Sequence, residues 1–77
     1  MNKFLLDFGF VRIDQSTWRW QDGDVDLTVA KELIGSDEFV RLTDGPGNIE
    51  YWSGKTLGLN WNEFNAAIRK AERKQRG

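Results

Sequence analysis

Seventy-seven residues with neither cysteine nor histidine exclude a Ser-His-Asp or Cys-His triad, a thiolate nucleophile, a disulfide framework and a zinc site of the usual Cys/His kind. The apolar share of 39% suffices for one small core, so the chain reads as a single domain over 1–77, with little material left for a substrate cleft of about 300 Å³ or more. The net charge of −1 conceals a division: residues 1–50 carry five basic and ten acidic groups, net −5, and residues 51–77 carry six basic and two acidic, net +4, so the molecule is electrically two-ended.

In chain order, the opening residues fit two patterns. Phe4, Leu5 and Phe8 suit one helical turn closed by Gly9, whereas Leu6, Phe8 and Phe10 suit an extended strand. Phe10 to Ile13 and Thr17 to Gln21 flank the polar stretch Asp14 to Thr17, and their aromatic and β-branched content predicts a hairpin. After a turn at Gln21, Asp22 and Gly23 the alternation becomes strict. Val25, Leu27 and Val29 point one way and Asp24, Asp26 and Thr28 the other. Ala30 to Ile34 ends at Gly35 and fits either a continued strand or one helical turn with a glycine cap; the strand is preferred. Phe39 to Thr43 and Ile49 to Ser53 surround a loop with the only proline, which predicts a second hairpin, and a short strand is expected over 56–59.

The closing element has the clearest signature. Asn60 as N-cap, Glu63 three residues inside and Leu59 stapling onto Phe64 mark a helix start. Trp61, Phe64, Ile68 and Ala71 then share a stripe, with Ala67 beside it, so a helix is predicted from Trp61 to about Lys74. The expected fold is α+β: an antiparallel sheet of four to five short strands, built from hairpins, with a C-terminal amphipathic helix packed on one face.

Three motifs invite chemistry and fail on spacing. Ser53, Gly54, Lys55 and Thr56 end like a P-loop, but the glycine required five residues before Gly54 is Ile49. Asp22, Asp24 and Asp26 start like a calcium loop, but its sixth and twelfth places are Leu27 and Leu33, so the aspartates read as a solvent-facing acidic strand that blunts a sheet edge. Glu32, Asp37 and Glu38 near a predicted turn are indistinguishable by spacing from solvated charge. The expectation is therefore a protein that is not an enzyme and needs no metal or cofactor.

The aromatics are harder to place inside. Trp18 and Trp20 share one strand face with Arg19 opposite, and Tyr51 and Trp52 face opposite ways; one covering helix cannot bury them all, so some aromatic surface is expected outside. Trp, Tyr and Arg are favoured at protein hot spots. A first reading makes the chain a small regulator or inhibitor that binds a larger protein or protein–nucleic acid complex through Trp18, Arg19, Trp20 and Trp52, with Asp22, Asp24 and Asp26 on the rim. Small cysteine-free chains without a catalytic set are typical of accessory proteins of phages and mobile elements. In one version the carboxylates, Asp37, Glu38, Asp44 and Glu50 included, imitate a phosphate row, as DNA-mimic anti-restriction and anti-CRISPR proteins do.

The alternative is single-stranded nucleic acid, with Arg69, Lys70, Arg73, Lys74 and Arg76 on phosphates and the sheet aromatics stacking bases. Sheet followed by helix, with the Leu59, Glu63, Phe64 helix entry, resembles the PC4-like single-strand binders, which implies dimerisation through paired helices. A pI near 5.3 opposes it. Closing cations also suit the negative end of a helix dipole. Domains this small rarely draw more than about 3 to 5 kcal/mol from one core. Disulfides and metal being excluded, a homodimer is an expected partner too. Met1 to Phe10 is broken by Lys3, Asp7 and Gly9, and no apolar run is long enough to span a bilayer, so the expected location is cytoplasmic, with no membrane partner.

Overall fold

The computed structural model describes residues 2–53 and 61–77. Its elements are α1 (Asn2–Phe8), β1 (Val11–Asp14), β2 (Thr17–Asp22), β3 (Val25–Ile34), β4 (Asp37–Asp44), β5 (Ile49–Ser53) and α2 (Trp61–Arg76). The strands form an antiparallel meander in the order β1-β2-β3-β4-β5, with α2 packed against β3. This is the expected α+β arrangement. The Asn60 cap with its Glu63 box, the Leu59 staple, the strand over 56–59, the Gly54–Thr56 stretch and the Trp61 side chain lie outside the described residues.

Period-two burial follows directly from the pleat. Val25, Leu27 and Val29 are buried, and their partners across the ladder, Trp20 opposite Leu27 and Trp18 and Leu42 opposite Val29, point to the same side. Phe64 and Ile68 of α2 close over them, with Ala67 and Ala71 at the margin. The two readings after Val29 resolve as strand, because Gly35 supplies a hairpin corner and not a helix cap. Its φ of +66°, with no positive φ at Ser36, makes Gly35-Ser36 a type II′ turn between the paired Ile34 and Asp37.

The N-terminus resolves as helix. The Phe10 N–H donates to the Leu5 carbonyl and the Gly9 N–H to the Leu6 carbonyl, both at 3.1 Å, with Gly9 at φ +121°. This pair of bonds is a Schellman closure, and it brings Leu5 and Phe10 together in the core. At the β1–β2 turn, the Ser16 N–H donates to Asp14 Oδ1 at 2.8 Å, which holds the Asp14 carboxyl below the usual carboxylate value.

One tie between α2 and the sheet leaves no trace in periodicity. The last β3–β4 pair is Leu27 with Asp44. Just beyond it the Gln75 side-chain amide takes the place of a strand: the Asp26 N–H donates to Gln75 Oε1 at 2.8 Å, and Gln75 Nε2 donates to the Asp26 carbonyl at 3.0 Å. A side chain thereby satisfies both peptide groups of a partly buried strand residue. Gln75→Ala orphans both, at an expected cost of about 1 to 3 kcal/mol. Urea unfolding followed by tryptophan fluorescence checks this, and a loss no larger than that of an exposed substitution such as Arg73→Ala would contradict it.

The charge division also acquires a structural meaning. Arg76 Nη2 lies 3.3 Å from Asp22 and its Nε 3.0 Å from Glu72, and those two hydrogen bonds hold its guanidinium more firmly in the charged form. Lys70 and Lys74 line a groove of about 210 Å³ whose other wall carries Asp44 and Glu50. The basic helix thus lies along the acidic ends of the strands.

Candidate functional site

β3 is the central strand of five, so its aspartates do not blunt an edge as expected. What its outward residues do is build one uncovered face. Register fixes the membership: Val11, Arg19, Thr28, Thr43 and Ile49 form one row across all five strands, and Thr17, Ala30, Arg41 and Tyr51 form the next. Glu32, Phe39 and Ser53 make a third row, and Ile34 pairs with Asp37 at the end. All alternate with the buried Trp18, Leu27, Val29, Val40 and Leu42, so they stand opposite α2.

This face is mixed in character and locally neutral. Arg19 Nε is 3.2 Å from Asp26 Oδ1, and Arg41 Nη1 is 2.7 Å from Glu32 Oε1. Arg41 Nε is buried and has no partner among the described residues. Ala30 is 5% exposed although it lies outside the α2-covered core, so its longer neighbours close over it. The outer strands supply apolar surface: Val11 is 63% exposed, and Ile49 and Tyr51 are 51% each. Ile34 adds to it at the hairpin end. Sheet faces this large are ordinarily covered or put to use.

The sequence-derived site residues are scattered relative to this face. Arg19 and Asp26 belong to it and are joined by their ion pair. Trp18 and Trp20 do not, and the expectation that they present accessible surface is corrected. They are 2% and 8% exposed. The reason is α1: one helix indeed could not cover every aromatic, but Phe8 and Phe10 extend the cover, with Phe10 5.6 Å and Phe8 6.3 Å from the Trp20 ring. Asn2 Oδ1 accepts from Trp18 Nε1 at 2.7 Å. Trp52 is half-buried, edge-on to Phe64 at 4.9 Å. The exposed aromatic is Tyr51.

Asp22 and Asp24 stand at the β2–β3 turn, Asp22 joined to Arg76. Asp24, Asp26 and Asp44 border a groove of about 410 Å³ with Lys74 and Gln75, but its carboxylates are committed elsewhere. Asp44 accepts from the Asn48 N–H and side-chain amide at 2.8 and 2.9 Å, and Asp26 holds Arg19. That leaves no pair poised for acid–base work. Arg69, Lys70, Arg73, Lys74 and Arg76 are all exposed and, at 100° per residue, fan over the outward side of α2; Arg69 lies over the Phe8 ring at 5.2 Å and Arg76 over Trp20 at 5.9 Å. Arg41, Glu32, Phe39, Ile49 and the three threonines were missed as site residues. The signal was present as parity counted outward from Val25, Leu27 and Val29.

No protein family matches the chain, and neither a curated protein nor a solved structure matches it.

Proposed function

We propose that this chain is a small non-catalytic binding protein that regulates a larger protein by docking on it, and that the uncovered sheet face is its docking surface. The observation that carries the reading is the division of the sheet. One face is closed by both helices, and the other presents Tyr51, Ile49, Val11 and Ile34 around two arginines that are already charge-matched. A partner covering that face buries aromatic and apolar surface without stranding a net charge. The phosphate-mimic version draws less support, because Asp37 and Glu38 begin β4 at one end of the sheet while Asp22, Asp24 and Asp44 lie at the other. The nucleic-acid reading draws less as well, since Arg76, Lys70 and Lys74 face carboxylates of their own chain.

Two paired variants separate these readings. Immobilised chain carrying Tyr51→Asp with Thr43→Arg is expected to lose a partner that the unaltered chain captures stoichiometrically, while Lys70→Glu with Arg73→Glu keeps it. The opposite pattern would refute the sheet-face reading. A labelled oligonucleotide titrated at low salt is expected to show no anisotropy change at micromolar chain; binding with a steep salt dependence would favour the helix cations instead.

A further inference from the structure

The arrangement of the open face goes further than the need for some cover. We infer that a second copy of this chain packs on it, sheet against sheet, about a two-fold axis running along β3. The inference rests on the reading of this face as the docking surface and names one occupant for it; a larger partner then competes with self-pairing.

Register carries the argument. A two-fold along the central strand lays β1 on β5 of the second copy and β2 on β4, keeping each cross-strand row in line. In the first row, Val11 of one copy meets Ile49 of the other at both margins, Arg19 meets Thr43, and Thr28 meets Thr28. In the second, Arg41 meets Thr17 and Ala30 meets Ala30, while Tyr51 comes over the β1 edge. Each long side chain therefore opposes a short one, and the axis passes through small residues, which lets two sheets approach to about 10 Å. An unrelated partner places no such demand on a single face; a copy of the same face does, because an isologous contact must be complementary to itself.

Charge and area agree. Arg19 with Asp26 and Arg41 with Glu32 form neutral pairs within each copy, so stacking opposes no unmatched charge across these rows. Five strands at about 4.8 Å spacing and about 20 Å of usable length offer roughly 500 Å² per copy, near 1,000 Å² in all, the lower bound for a specific interface. The expected dimer is accordingly weak and concentration-dependent. It also supplies the reinforcement that a cysteine-free core of this size otherwise lacks.

The absence of native cysteine makes the test direct. Thr28→Cys is placed on the proposed axis and Arg73→Cys on the outward side of α2, and each is treated with a short bis-maleimide at a concentration where the unaltered chain is followed by light scattering. The expected result is a mass that rises toward twice the monomer with concentration, efficient cross-linking of Thr28→Cys and background cross-linking of Arg73→Cys. Ala30→Arg is expected to be monomeric, and Tyr51→Asp, a change at an exposed position, weakens pairing if the arginine disturbs folding. A monomer throughout the micromolar range with no Thr28→Cys product, or equal products from both cysteines, overturns the inference. If the chain is monomeric and Tyr51→Asp with Thr43→Arg still abolishes capture of a larger partner, only self-pairing has failed; if those substitutions leave capture intact, the docking reading itself has failed.

Discussion

Trp18→Ala is expected to leave the chain largely unfolded at 25 °C. The Trp18 ring is 2% exposed and sits opposite Val29 in the β2–β3 ladder. Its Nε1 donates to Asn2, and Arg12 and Lys31 lie 5.6 and 5.8 Å from the ring, so it ties α1, β1 and β3 together. Truncating a buried tryptophan costs about 3 to 5 kcal/mol, comparable with the whole stability a core of this size supplies. Far-UV circular dichroism with urea titration is the check. Trp18→Phe keeps most of the buried area and gives up the Asn2 bond, so it is expected to fold with a loss of about 1 to 2 kcal/mol. A cooperative Trp18→Ala transition within 1 kcal/mol of the unaltered chain would mean that the ring is not part of the core.

Gly9→Ala ranks next, and two independent effects add. The residue ends α1 at φ +121°, where an L side chain is strained, and strain of this kind costs of order 1 to 3 kcal/mol. A Cβ there would also stand 2.8 Å from Trp20 Nε1 and 3.2 Å from its Cε2. Trp20 is packed against Phe10 and Phe8, so its ring has little room to give, and overpacking adds about 1 to 3 kcal/mol. The expected total is about 2 to 5 kcal/mol, read as a fall in Tm. Gly23→Ala is the control: its φ is +58° but nothing lies within 4 Å of a Cβ there, so only strain remains. Equal losses at the two positions would show that Trp20 does not press on Gly9.

These two effects mark what the sequence could and could not disclose. The strand from Val25 and the closing helix were legible because both rest on periodicity, which survives without knowledge of neighbours. The sense of Ala30 to Ile34 was legible through Gly35, a turn-former in line with an unbroken ladder. The fate of Trp18 and Trp20 was not, because it depended on whether residues 2–8 formed a second cover, and seven residues are too few for periodicity to choose between helix and strand. The same holds for strand order. Alternating aspartates look alike on an edge and at the centre of a sheet, and only the partners on both sides of β3 decide it. Gln75 is a contact between residues 49 positions apart, which no local pattern encodes. The charge division was plain in the sequence, yet its use as a match between α2 and the strand ends needed the third dimension.

Hydroxyl-radical footprinting read by mass spectrometry tests most directly which face is open and whether that face docks. In dilute free chain, Tyr51, Ile34 and Ile49 are expected to be oxidised rapidly and Trp18 and Trp20 to be protected. When the face is covered, by rising chain concentration or by a bound partner, protection should spread to Tyr51 and Ile49 and leave Arg73 and its neighbours on α2 unchanged. Rapid oxidation of Trp18 and Trp20 in the free chain, or protection that falls on α2 while Tyr51 stays reactive, would contradict the account.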